Sequence, residues 1–118
     1  MNYVCLVYRD EKTVDAMPRG EFAAFVDEHR AYAEALRKSG HGIAAEGLQP
    51  VRTATTVRMR NGKVTTTDGP FAETKEVLGG FYVIEARDLN EAIQLASKSP
   101  SLRIGSVEVR PIDELIQE

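Results

Sequence analysis

The sequence predicts an α+β fold in one domain, residues 1–118, from three patterns. Segments rich in β-branched and aromatic residues, typical of strands, lie near both ends of the chain. In two other segments apolar residues recur at helical spacing, and in the middle Asn61-Gly62 joins two strand-like segments. The chain has 118 residues, of which 42% are hydrophobic and 28% charged, which is the size and balance of one globular domain. We therefore expect a single core.

The N-terminal half predicts a strand, a helix and a second, short strand. Residues 2–9 carry apolar side chains on both alternating faces, so this strand should be covered on both sides. Pro18 stands where a first helical turn would begin, and an apolar stripe leads to a stop at Gly40, which predicts a helix over residues 18–39. The short strand follows at residues 42–45. The apolar stripe consists of Phe22, Phe25, Val26, Tyr32 and Leu36.

The clearest local signal is a β-hairpin in the middle of the chain. Residues 53–60 and 63–67 flank Asn61-Gly62, and this dipeptide readily adopts the positive φ angles of a two-residue type I′ turn. The turn fixes a register in which Arg60 faces Lys63, Met59 faces Val64, Val57 faces Thr66 and Thr55 faces Asp68. The side chain of Asp68 therefore shares a face with the apolar side chains of the hairpin.

The C-terminal third predicts a strand, a helix and a last strand. Residues 79–86 have the composition of a strand, and Asp88 and Glu91 have the spacing of a capping box, which predicts a helix over residues 89–98. Residues 104–112 form the last strand, with Val107 and Val109 on one face. We expect the helix to bury Leu89, Ala92, Ile93 and Ala96.

This order of elements is the β-α-β-β-α-β order of a ferredoxin-like sheet, with the hairpin added in the middle. Two helices can cover only one face of such a sheet, yet residues 2–9 and 79–86 carry apolar side chains toward both faces. A second copy of the chain is the simplest way to cover the remaining face, because two-fold dimers are the commonest oligomers. The sequence therefore predicts a homodimer, along which the tail, residues 113–118, could extend.

Composition argues against several classes of partner. The chain has 15 Lys+Arg and 18 Asp+Glu, and the basic residues are scattered, so we expect no nucleic acid as partner. It contains no apolar run of about 20 residues, and it begins with a strand-like segment, which predicts a cytoplasmic protein without a membrane partner. Cys5, the single cysteine, is expected to be a small buried side chain. The two histidines, His29 and His41, are too far apart in sequence to form a metal motif, although carboxylates could complete a site in space. No metal or other cofactor is predicted.

Four strings, AEGLQP, TATTVR, TDGPFAETKEVLGGFYVIEA and GSVEVRPI, resemble the YCII-related proteins, and within them the group named for its DGPF motif. The resemblance spans almost the whole chain. It implies a ferredoxin-like fold that pairs as a dimeric α/β barrel, and an enzyme with a His-Asp pair. It also implies a regulatory setting beside sigma factors. It places His29 at the position of the family's proposed histidine on the first helix.

Asp68 and His29 are the candidate catalytic residues. If the apolar face of the hairpin points inward, the Asp68 carboxylate lies at its inner end and could act as a general acid or base. The alternative is an Asx turn, in which the carboxylate binds backbone N–H groups of the following Gly-Pro segment. His29 lies on the apolar stripe of the first helix, where it is either the partner of Asp68 or a core residue bonded to one neighbour.

The polar turn at residues 67–80 and the segment after the second strand supply the candidate ligand-binding residues. Charged groups mixed beside Asp68 could bind an unidentified polar small molecule, although such side chains are more commonly solvated. These candidates are Glu46, Phe71, Glu73 and Lys75. Two functions follow from the sequence, an acid-base enzyme acting on a small molecule, or a non-catalytic module for ligand sensing or protein interaction.

Overall fold

The computed structural model describes residues 1–114. Within this part of the chain there are six strands, three helices and two short 3-10 turns. The strands are β1 (Asn2–Arg9), β2 (Gly42–Gly47), β3 (Thr55–Arg60), β4 (Lys63–Asp68), β5 (Val77–Glu85) and β6 (Gly105–Pro111). The helices are α1 (Glu11–Asp15), α2 (Arg19–Lys38) and α3 (Leu89–Ala96), and the 3-10 turns span Val51–Thr53 and Pro100–Arg103.

Four of the strands form one antiparallel sheet in the order β2-β5-β1-β6, and β3 and β4 form a separate two-stranded sheet. The strand order of the four-stranded sheet is that of a ferredoxin-like sheet. Each of the two central strands, β1 and β5, is connected through a helix to an edge strand. The predicted fold class is therefore confirmed, including the added hairpin.

The register of the hairpin is confirmed at all four predicted pairs, from Arg60 opposite Lys63 to Thr55 opposite Asp68. Asn61 has φ 51° and Gly62 has φ 76°, the two positive angles that a type I′ turn requires. The turn chemistry of this dipeptide therefore fixes which side chains share a face.

The helix ends also follow their sequence signals. Pro18 precedes the first residue of α2, and Gly40, with φ 83°, follows its last turn. At α3 the Asp88 carboxylate accepts a hydrogen bond from the backbone N–H of Glu91 at 2.9 Å. The short helix α1 was not predicted, because a single polar turn carries no apolar stripe.

The core lies between the sheet and the two longer helices. It is a cluster of side chains from β1 and β5 packed against α2 and α3: Tyr3, Cys5, Val7, Leu36, Tyr82, Ile84, Ala86, Ala92 and Ala96. Cys5 is fully buried, as predicted, and burial raises the pKa of its thiol to about 11. It is a packing residue with little thiolate character.

The buried face of α3 differs from the prediction in two residues. Ala92 and Ala96 are buried, but Leu89 and Ile93 are each 49% exposed. The two alanines lie against the sheet, and Leu95, which was not predicted, packs against the core cluster. Because small side chains allow a close approach, the helix presents the alanine face to the sheet and leaves Leu89 and Ile93 at its margin.

The face of the sheet away from the helices is left partly open. Val4 and Leu6 of β1 lie opposite Val83 and Phe81 of β5, and all four side chains are only half-buried. At the edge, Val107 and Val109 lie on one face of β6, as predicted, and the structure packs that face against the core. The expectation that the helices cover one face only is therefore confirmed for residues 1–114, while the predicted contact of the tail falls partly on residues 115–118, outside the described residues.

None of the helices in the described part of the chain is both long and apolar enough to cross a membrane.

Candidate active site

A cavity of about 690 Å³ opens between α2 and the ends of β1, β2 and β5. The helix α1 and the 3-10 turn at Val51–Thr53 form its rim. Apolar side chains from α2 and β1 line much of it, including Val7, Phe22, Phe25 and Val26. A pocket with apolar walls and a few polar groups is the usual form of a small-molecule site.

His29 is a polar group in the cavity wall with both ring nitrogens bonded inside the chain. Its Nδ1 atom lies 2.8 Å from the carbonyl oxygen of Phe25, one turn earlier in α2. Its Nε2 atom lies 2.6 Å from the Oγ atom of Ser101. A carbonyl oxygen can only accept, so Nδ1 must carry the hydrogen, and in the neutral ring Nε2 accepts from the Ser101 hydroxyl.

The surroundings of His29 favour the neutral ring. Burial lowers the pKa of His29 below its ordinary value of 6.5, the bond to Phe25 raises it, and the charges of Arg9 and Arg103 lower it further. Ser101 is fully buried, and its N–H donates to the Ser99 hydroxyl at 3.2 Å. The imidazole is therefore held as a neutral base whose Nε2 lone pair is engaged by a fixed hydroxyl.

Arg9 is a cation of the cavity wall that sequence reasoning missed. It continues the alternation of Tyr3, Cys5 and Val7 along β1, so its side chain leaves the sheet on the helix side, where it lines the cavity. One Nη atom donates to the carbonyl oxygen of Gly79 at 3.0 Å. The alternation could have identified Arg9, because every second residue of a strand lies on the same face and Arg9 comes two positions after Val7.

Tyr32 and Tyr82 line the deeper part of the cavity and bond to each other. The Tyr32 hydroxyl donates to the carbonyl oxygen of Leu95 at 2.7 Å and lies 3.3 Å from the hydroxyl of Tyr82. Burial raises the pKa of both phenols. They therefore stay neutral and join α2 to β5 and α3.

The structure places the predicted site residues in two different regions. His29 and Glu46 line the cavity, Glu46 as an exposed side chain at its edge. Asp68 is exposed at the base of the hairpin, and Phe71, Glu73 and Lys75 are exposed in the segment that follows. These four do not line the cavity of a single chain. Their functional roles stay predictions.

The face that Asp68 shares with the hairpin's apolar side chains points to solvent in one chain. Val57 is 63% exposed, Met59 68% and Val64 65%. The turn after the hairpin is closed by the N–H of Gly69, which donates to the carbonyl oxygen of Ala54 at 2.8 Å, and by the Thr56 hydroxyl, which donates to the Gly69 carbonyl at 2.9 Å. An inward direction for Asp68 would require a covering layer from outside the chain.

Ser101 is the second residue that sequence reasoning missed. It follows α3 in the Ser99-Pro100-Ser101 segment, where nothing in the local pattern indicates contact with a helix 72 positions earlier. Only the docking of this segment against α2 brings the hydroxyl to His29. A buried serine after a helix stop carries no separate sequence signal.

The fold and the cavity together define a ferredoxin-like α+β domain with a histidine-containing pocket. The chain belongs to the YCII-related family, whose domain model matches residues 1–116. An uncharacterised protein of Rhizobium meliloti, R00369, is 36% identical over 95% of this chain and 92% of its own length. The predicted resemblance to the YCII-related proteins is thus confirmed.

A solved structure of similar fold is 5-chloro-2-hydroxyhydroquinone dehydrochlorinase from Burkholderia phenoliruptrix AC1100, in complex with 2,5-dihydroxybenzoquinone. It has 15% sequence identity and a TM-score of 0.49, and the alignment covers 96% of this chain and 94% of that one.

Proposed function

We propose that this protein is an enzyme acting on a small molecule, with His29 as the general acid or base. The observation that supports this most directly is the orientation of a neutral imidazole in the wall of the cavity, with Nδ1 bonded to Phe25 and Nε2 to Ser101. A histidine whose tautomer is fixed by a carbonyl acceptor offers Nε2 as its basic atom.

The same contacts let the imidazole gain and return a proton. Ser101 also lines the cavity, so its hydroxyl passes its proton to Nε2 as its Oγ atom takes a proton from substrate, and Nδ1 keeps its bond to the Phe25 carbonyl. The Ser101 Oγ atom then accepts from the new Nε2–H. Both ring N–H groups of the cation are then satisfied without movement of α2. The proposed reaction class is therefore proton abstraction from, or proton return to, a bound organic molecule.

Asp68 enters this proposal only together with a second copy of the chain. Its hairpin face is apolar and exposed, and the outer face of the main sheet is half-open. We propose that these surfaces are covered in a homodimer, where burial would give the Asp68 carboxylate the environment that an acid-base role needs. Phe71, Glu73 and Lys75 would follow it into the covered region.

The test begins with a metabolite screen by thermal shift, because a ligand that binds the folded state raises its apparent stability. Turnover of the best ligand is then compared in wild type, His29→Gln and Asp68→Asn. We expect His29→Gln to lower kcat by roughly 10²- to 10⁴-fold, the usual contribution of a general acid or base. Unchanged kcat in His29→Gln would refute the role of His29, and unchanged kcat in Asp68→Asn that of Asp68.

A second function, a non-catalytic ligand sensor, is favoured by one observation. Both nitrogens of His29 are already bonded within the chain, so the cavity is complete as a binding site without any free base. In that case the screen would yield a ligand that binds and is recovered unchanged, and His29→Gln would alter stability without altering any reaction.

A further inference from the structure

We propose that Arg9 is an anion-binding residue of the cavity, and that the ligand of this protein is a small organic acid with an apolar body. This inference rests on the proposed small-molecule function and names the class of molecule that the site takes. Three observations carry it: the position of Arg9, the glycine beneath its guanidinium, and the distribution of charge around it.

Arg9 extends from the last position of β1 into the cavity and is half-buried there. A guanidinium has five N–H donors, and the Gly79 carbonyl takes one of them at 3.0 Å. The ion pairs found among residues 1–114 join Arg37 to Glu34, Arg87 to Glu91 and Arg103 to Glu28. Arg9 is in none of these pairs, so its charge is available to a ligand.

Gly79 leaves the space in which the guanidinium lies. A Cβ atom at this position would be 2.4 Å from Nε, 2.9 Å from Nη2 and 3.0 Å from Cζ of Arg9. Any other residue would displace the guanidinium from this place. The side chain is therefore held in position by the backbone of β5 and is not a loose surface arginine.

Glu11, the acidic group that acts on Arg9, is held in another contact. Glu11 attracts the charge of Arg9 through space, but its Oε2 atom accepts from the backbone N–H of Val51 at 2.8 Å. Burial lowers the pKa of Arg9, which means that the cation has lost hydration. A ligand anion would replace the lost hydration with charge-assisted hydrogen bonds. A carboxylate suits this role, because its two oxygens can accept two parallel hydrogen bonds from the planar guanidinium.

The rest of the cavity indicates the remainder of the ligand. Much of its wall is apolar, with Val7, Phe22 and Phe25 among the lining residues, and a volume of about 690 Å³ admits a small aromatic or aliphatic body. The charge of Arg9 lowers the pKa of His29. An anion bound to Arg9 would offset that effect and make the imidazole a stronger base when substrate is present.

The experiment measures binding of three acids, benzoate, phenylacetate and hexanoate, against their neutral amides, by chemical-shift titration of the intact protein. We expect at least one acid to shift the Gly79 amide and to bind about tenfold or more tightly than its amide. Arg9→Gln should remove that preference, and Arg9→Lys should restore part of it. Arg60→Gln, the same change of charge at an exposed position of the hairpin outside the cavity, should keep the preference.

Three results would overturn the inference: equal binding of acid and amide, an unchanged preference in Arg9→Gln, or no response of Gly79 to any of the acids at about 50 mM. A spectrum of Arg9→Gln with native dispersion excludes unfolding as the cause of lost binding. Acid binding in His29→Gln separates this inference from the proposed chemistry, because the anion site can exist even if His29 performs no catalysis.

Discussion

The Nε2 atom of His29 and the Oγ atom of Ser101 lie 2.6 Å apart, joining α2 to the turn that precedes β6. Ser101 is fully buried, and the two residues are separated by 72 positions in the sequence. The contact therefore contributes both to the stability of the domain and to the orientation of the candidate base.

Ser101→Ala should destabilise the protein by about 1 kcal/mol, because it removes this hydrogen bond and leaves Nε2 of a half-buried ring with no internal partner. Urea denaturation monitored by circular dichroism measures the change. Ser97→Ala is the matched control, since its hydroxyl donates to the Gln94 carbonyl at an exposed position and its loss should cost less than about 0.5 kcal/mol. Equal effects of the two substitutions would contradict the importance of the buried contact.

Stability should rise with pH across the titration of His29. Its pKa in the folded protein is lowered from the ordinary 6.5, chiefly by burial, so the unfolded chain binds a proton more readily. The stabilisation is full above pH 6.5 and is lost as pH falls through the folded-state pKa. Denaturation from pH 5 to 8 checks this, with roughly 1.4 kcal/mol per pH unit as the upper limit of the slope from one group.

His29→Gln should flatten the same profile, since the glutamine amide does not titrate. The imidazole signals of the wild type, assigned with the help of His41→Gln, should titrate with a midpoint below 6.5. A midpoint above that value would show that the environment of His29 favours the cation.

Gly79→Ala and Gly105→Ala should separate a site effect from a folding effect. The added methyl group at residue 79 meets the flexible end of Arg9, whereas at residue 105 it would lie 2.0 Å from the backbone carbonyl oxygen of Tyr8. Gly105→Ala should cost about 3 kcal/mol or more, because two paired strands must move apart. Gly79→Ala should change the unfolding free energy much less and shift the guanidinium instead.

Thermal and urea unfolding of both glycine variants give the comparison, and titration with the acids described above reports the position of Arg9. Similar stability losses in the two variants would show that the guanidinium cannot yield at Gly79.

A homodimer formed through the outer face of the sheet predicts a mass of about twice the 13.0 kDa of the chain by light scattering at micromolar concentration. Leu6→Gln should shift the protein toward monomer, because it places an amide in the middle of the half-open apolar face. Ile93→Gln, a similar substitution at an exposed position on α3, should leave the mass unchanged. A wild-type mass of one chain would exclude the dimer.

Much of the fold could be predicted because its signals are local. Asn61-Gly62 specifies the hairpin and its register, Asp88 specifies the start of α3, and Pro18 and Gly40 bracket α2. Each depends on backbone angles or hydrogen bonds within a few residues. For Leu89 and Ile93 the outcome depended on packing distance. The helical pattern predicted both side chains in the core, but the alanines of α3 lie against the sheet and leave Leu89 and Ile93 at the margin.

By itself, the sequence determined the fold class, the family, and the position of His29 on the buried side of its helix, since periodicity and turn chemistry are properties of short segments. The tertiary structure alone decided that Ser101 contacts His29, that Arg9 lies over Gly79, and that Asp68 lies outside the cavity of one chain. These relationships join residues that are far apart in the sequence. They depend on how helices and strands dock, which no local pattern encodes.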